Sequence, residues 1–176
     1  AETLAQAGYN SCMSSRLNYL TLLLDLEQIE QNIFRGQSRD FGTSQVFGGQ
    51  VLGQALAAAS RTVEGRVVHS LHAYFLKRGD MQAPIIYDVD RGRDGGGFAN
   101  RRGVAVQHGE QIFNMTASFQ VPESGLEHQV AMPNVPKPDS LKNVETLARE
   151  FTGDLPPRMQ RFLHWDQPFE MRPVDS

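Results

Sequence analysis

Apolar residues in the first part of the chain recur at intervals of three to five. Leu17, Leu20, Leu23, Leu24, Leu26 and Ile29 would share one broad face if residues Leu17 to Phe34 were helical. Ser14 or Ser15 is placed to cap the start of that helix. Gly36 breaks the pattern, and residues 36–43 read as a connecting loop. The stretch Val46 to Thr62 (VFGGQVLGQALAAASRT) is different. A Gly-Gly pair opens a run that is apolar nearly all round, with Gln50 and Gln54 the polar groups of its first half. A helix without a polar face is a buried helix.

After Gly65 the period changes to two. Arg66 to Leu76 would put Val67, His69, Leu71, Ala73 and Phe75 on one face. Pro84 to Asp94, Phe98 to Gln107 and Glu110 to Gln120 alternate in the same way. Gly95-Gly96-Gly97 and His108-Gly109 are the turn signals between them. In the last strand Phe113, Met115, Ala117 and Phe119 face inward, and Asn114, Thr116 and Ser118 face out. Four long strands joined by short turns predict an antiparallel meander. Beyond Pro122 the chain is rich in proline; it reads as an extended linker carrying a helix near Leu141 to Phe151 and a shorter one near Arg158 to His164. The expected organisation is a leader or overlong start at residues 1–12, one domain at 13–122, and a linker at 123–176 toward a further domain. An all-apolar helix beside one sheet has a direct packing solution. The fold is α+β, with the sheet curled around the helix.

Composition narrows the function classes. With 176 residues and 40% hydrophobic content the chain has enough apolar surface for a core. Seventeen Lys and Arg against 20 Asp and Glu, a net charge of -3, disfavour nucleic acid or an anionic membrane as partner, because both need a basic field. A single cysteine, Cys12, excludes a disulfide framework and makes the reducing cytoplasm the default compartment. No membrane span or signal peptide is evident in the residues. No metal or cofactor is implied, since His69 and His72 point to opposite faces of a strand and no third ligand has suitable spacing.

Several segments, in order, resemble the first half of the type II acyl-CoA thioesterases, a double-hotdog family: IFRGQ (Ile33 to Gln37), VFGGQVLGQAL (Val46 to Leu56), VHSLHAYFLKRGD (Val68 to Asp80), PIIYDV (Pro84 to Val89), MTASFQ (Met115 to Gln120) and EHQVAMPNVP (Glu127 to Pro136). The resemblance implies a hotdog fold and hydrolysis of fatty acyl-CoA to a free fatty acid and CoA. It also implies that the family's Asp, Ser or Thr, and Gln, which together orient an attacking water, belong to a second repeat that these residues do not match. The alternative reading is a non-catalytic module for acyl-CoA binding or assembly. A lone hotdog leaves an edge strand and part of its sheet uncovered, so a homo-oligomer or pairing with a second repeat is expected.

Thioester hydrolysis needs a positioned water or base and donors for the developing oxyanion. Gly48, Gly49 and Gln50 could supply backbone donors at a helix N-terminus, or the glycines could serve only close helix–sheet packing. Gln50 and Gln54 could hold substrate or water, or satisfy loop carbonyls. His69, expected on the helix-facing side of its strand and desolvated there, is a candidate base or an ordinary core histidine. Arg101 and Arg102, with Arg91 and Arg93 beside the glycine turn and Lys77-Arg78 after the first long strand, could bind the phosphates of CoA or be solvated surface. Covalent serine or cysteine catalysis finds no motif.

Overall fold

The computed structural model describes residues 17–39, 45–151, 153, 160 and 169–174. These divide into two compact units: Leu20–Ser124, and a second unit drawn from the two ends of the chain. The leader expected at residues 1–12, its neighbour Ser14 or Ser15 as a cap, and most of the short helix expected near 158–164 lie outside the described residues.

Within the first unit, residues 17–24 are helical (α1; its first residues belong to the second unit). Strands β1 (Glu27–Glu30) and β2 (Ile33–Gly36) follow, then helix α2 (Gly48–Ser60), β3 (Val67–Phe75), β4 (Ile85–Asp94), β5 (Phe98–Gln107) and β6 (Glu110–Gln120). The helix expected through Phe34 is therefore replaced after residue 24 by a hairpin. Tertiary pairing wins over local spacing: Phe34 stands opposite Tyr87 in the β2–β4 register, and both rings are buried.

All six strands form one antiparallel sheet in the order β1-β2-β4-β5-β6-β3. It is not a simple meander, because β3 skips β4 and pairs with β6 at the far edge. The β5–β6 turn is as expected: His108 and Gly109 both have positive φ, 52° and 76°, which the tight primed hairpin turn requires. Helix α2 packs against β2, β3, β4, β5 and β6, so the sheet curls around it, and the fold is the α+β hotdog. The small residues Ala55, Ala58 and Ala59 bring the helix close to Ile85, Tyr87, Phe113, Met115 and Phe119. In β6 the burial alternates as the sequence predicts, with Phe113, Met115, Ala117 and Phe119 inside and Thr116 exposed.

In the second unit a 3-10 turn at Pro138–Ser140 leads to helix α3 (Val144–Glu150), inside the span expected to be helical. Asn143 caps it by accepting a 2.8 Å hydrogen bond from the Thr146 N–H. Arg172 donates to the carbonyls of Pro138 and Leu141, holding the returning chain beside the turn.

Candidate active site

The start of α2 has no polar cap. Phe47 occupies the N-cap position, its side chain cannot bond the helix, and the first turn carries no acid. The Gln50 and Val51 N–H groups bond the Phe47 carbonyl at 3.0 and 3.3 Å. No described residue accepts from the Gly48 or Gly49 N–H. These two donors sit at the positive end of a 13-residue helix. Gly48 lines a cavity of about 400 Å³ whose wall also includes Val51, Phe75, Phe113, Lys77 and Arg78. A β-carbon at Gly48 would lie 3.0 Å from the Phe75 ring, so glycine here keeps the helix, the strand end and the cavity in close approach.

Gln50 and Gln54, one turn apart, are both buried. Gln50 bridges the loop after β2: its amide donates to the Gln37 carbonyl at 3.3 Å and accepts from the Arg39 N–H at 3.2 Å. Gln54 donates to the carbonyls of Leu23 at 2.8 Å and Gln37 at 3.1 Å, and accepts from the Tyr87 hydroxyl at 2.7 Å. Burial pushes the Tyr87 phenol well above its ordinary value, so it stays a neutral donor. Both glutamines thus use their amides to fix the segment that closes over the start of α2. The pairing of Tyr87 with Gln54 escaped sequence reasoning, although a tyrosine at an inward position of a strand calls for a buried partner.

His69 is elsewhere. The β3–β6 register slips between Val68 and Ser70, leaving His69 as the extra residue of a β-bulge. The bulge turns the imidazole to the outer face of the sheet, where its Nε2 lies 2.8 Å from Ser118 Oγ and its ring meets Phe98 edge-on. His69 is exposed, so the desolvated, helix-facing histidine expected from strict alternation is corrected.

Arg101 is also corrected. It is 1% exposed and all five of its N–H donors are engaged. They bond Thr62 Oγ1, the carbonyls of Thr62, Arg93 and Asn100, and Asp94 Oδ1. Its guanidinium ties the end of α2 to the β4–β5 hairpin and has no donor to spare for a phosphate. Arg102 is exposed on the outer face, in register with Asp90 and Thr116. The structure therefore gathers Gly48, Gly49, Gln50 and Gln54 at one end of α2, and leaves His69, Arg101 and Arg102 apart from it.

Comparison with known proteins bears on what this end of the helix serves. Residues 37–120 match the family model described as Acyl-CoA thioesterase N-terminal domain. Over 161 residues the chain is 48% identical to Acyl-CoA thioesterase 2 of Haemophilus influenzae, covering 91% of this chain and 56% of that protein. The chain belongs to the acyl-CoA thioesterase family. It corresponds to the family's first hotdog repeat and spans about half the length of the curated relatives it matches. Among solved structures it is similar to an acyl-CoA thioesterase II, TesB2, from Mycobacterium marinum, at 46% identity and a TM-score of 0.65, covering 78% of this chain and 56% of that one. A hot dog fold protein of unknown function from Alicyclobacillus acidocaldarius shares the fold at 22% identity and a TM-score of 0.64, covering 81% of this chain and 52% of that one. Within this acyl-CoA thioesterase repeat, the family match begins at Gln37, the residue whose carbonyl both buried glutamines hold.

Proposed function

We propose that the chain supplies the acyl-CoA-binding half of a thioesterase site. The observation that carries this reading is the uncapped start of α2, whose Gly48 and Gly49 N–H groups meet no acceptor among the described residues. It opens at Gly48 beside a cavity with one apolar side, Val51, Phe75 and Phe113, and one polar side that includes Lys77 and Arg78. An acyl chain would lie against Val51, Phe75 and Phe113, with the thioester carbonyl directed at the two amides. Water adds to that carbonyl, the helix donors hold the oxyanion, and its collapse expels the CoA thiol and leaves the fatty acid. The water-activating groups come from a second hotdog repeat. Edge strand β3 is where that repeat, or a second copy of the chain, adds to the sheet: Val67, Tyr74, Phe75 and Leu76 are exposed along it and at its end.

One observation favours binding without turnover for the chain by itself. Gln50 and Gln54 are occupied with loop carbonyls, and His69 faces away from the cavity. The test is calorimetric titration with decanoyl-CoA and with CoA, alongside a thiol-release assay. Decanoyl-CoA binds more tightly than CoA and is not hydrolysed by the isolated chain. Gly48→Pro, which removes an N–H at a helix position that accepts proline, binds several-fold more weakly than Gly48→Ala, which keeps it. Equal affinity for CoA and decanoyl-CoA would overturn the cavity assignment. Turnover by the isolated chain would overturn the need for a second repeat.

A further inference from the structure

A second cavity lies at the opposite, C-terminal end of α2. It measures about 350 Å³ and is walled by Arg61, Arg66, Arg91 and Arg101, with Glu64 and Asp94 as the acids on its wall. Counting Asp25, which pairs with Arg61 at 2.7 Å, four guanidinium groups stand against three carboxylates, leaving the cavity positive within a chain whose net charge is negative. Arg101 is fully engaged, as described above, and neutralises Asp94 at 2.6 Å. The other three arginines are oriented but not saturated. Arg91 donates through Nε to Asn32 Oδ1 at 2.8 Å, and no described residue accepts from its two terminal nitrogens. Arg61 reaches the Leu26 carbonyl at 2.5 Å and Asp25 at 2.7 Å, leaving its Nε–H without an acceptor among the described residues. Arg66 is held by the carbonyls of Glu64, Gly95 and Gly96, which neutralise none of its charge. Its Nε is buried without a hydrogen-bond partner among the described residues.

We infer that the arginine-walled cavity at the C-terminal end of α2 binds the phosphate of a small phosphorylated ligand. The planar Arg91 guanidinium, whose two terminal nitrogens meet no acceptor among the described residues, suits phosphate oxygens. Fixing it in advance on an asparagine, with Arg66 fixed on backbone carbonyls beside it, lowers the ordering cost of binding. The negative end of the α2 dipole faces the same region and works against an anion, and Arg61 at the C-cap is paired with Asp25, so the attraction rests on Arg66 and Arg91. The site stands independently of the thioester reading, because a phosphate ligand needs neither the acyl cavity nor the Gly48 and Gly49 amides.

The test is calorimetric titration of the chain with inorganic pyrophosphate and with adenosine 3′,5′-bisphosphate, at low and moderate salt. Both probes bind, more weakly as salt rises. Arg91→Gln, an exposed position, weakens binding by about tenfold. Arg66→Gln does the same, and Arg35→Gln, on the β1–β2 hairpin, leaves it unchanged. Tighter binding of the bisphosphate assigns the site to a nucleotide; equal binding assigns it to the inorganic anion. Failure of both probes to bind below ~10 mM, or binding that neither Arg91→Gln nor Arg66→Gln weakens, would overturn the proposal.

Discussion

The Tyr87 hydroxyl donates a 2.7 Å hydrogen bond to Gln54 Oε1 in an interior where neither side chain meets solvent. The bond joins the first part of β4 to the helix that carries the candidate site, and through Gln54 to the carbonyls of Leu23 and Gln37. Tyr87→Phe removes the donor and leaves a buried amide oxygen unpaired. A loss of about 1–3 kcal/mol in unfolding free energy is expected in urea titration. Gln54→Leu takes the partner from the Tyr87 hydroxyl and the Leu23 carbonyl and leaves the Gln37 carbonyl to Gln50 alone, and should cost more than Tyr87→Phe. The double variant should fall short of the sum, since the two share one bond.

The same residue sets an alkaline limit. Burial raises the Tyr87 phenol in the folded state, whereas in the unfolded chain it ionises near 10. Above that pH the unfolded state releases a proton that the folded state keeps, so stability falls by about 1.4 kcal/mol per pH unit. Below pH 10 the contribution is fully present. Tyr87→Phe should flatten the decline above pH 10, as read from the slope of unfolding free energy against pH.

Asp80 gives the acid counterpart at the surface. The Gln82 N–H, and secondarily His108, hold its carboxyl below the ordinary aspartate value. A lowered folded value means that the stabilisation is present above pH 3.8 and is lost as the pH falls through the folded midpoint. In His108→Gln, carboxyl NMR should show the Asp80 midpoint rising part of the way and remaining below 3.8, because the larger cause is the backbone donor.

Arg101 and Arg102 are neighbours with opposite fates. Arg101→Met strips five hydrogen bonds from a buried guanidinium and leaves Asp94 without its ion pair; a loss of roughly 3 kcal/mol is expected. Arg102→Ala, exposed on the outer face, should stay within about 0.5 kcal/mol of the parent. Thermal or urea unfolding of the two variants separates them directly.

What was legible in the sequence followed from regular periods. Strand β6 and the His108-Gly109 hairpin could be read because alternation and turn chemistry agree there. The α2 helix could be read because an apolar run with no polar face leaves only the interior. Three features could not. The β1–β2 hairpin sits in residues whose apolar spacing also fits a helix, and only the Phe34–Tyr87 pairing decides between them. The jump of β3 to the far edge depends on sheet order, which local alternation does not encode. The bulge at His69 adds a single residue to β3 and so reverses the facing of that side chain, with no glycine or proline to announce it. Of the candidate site, the Gly48-Gly49 start was legible from its position before the apolar run. The occupations of Gln50, Gln54 and Arg101 were not, because partners such as Arg39, Tyr87 and Thr62 lie 11, 33 and 39 residues away and leave no mark on local pattern.

The bare start of α2 sets foldedness against access. A polar N-cap ordinarily stabilises a helix by about 1 kcal/mol, and Phe47 forgoes it. Phe47→Asp should therefore raise the melting temperature while its carboxylate takes the amide donors and lays negative charge at the cavity mouth. Selection for thermal robustness alone would be expected to find that substitution early and to lose acyl-CoA affinity in the same step.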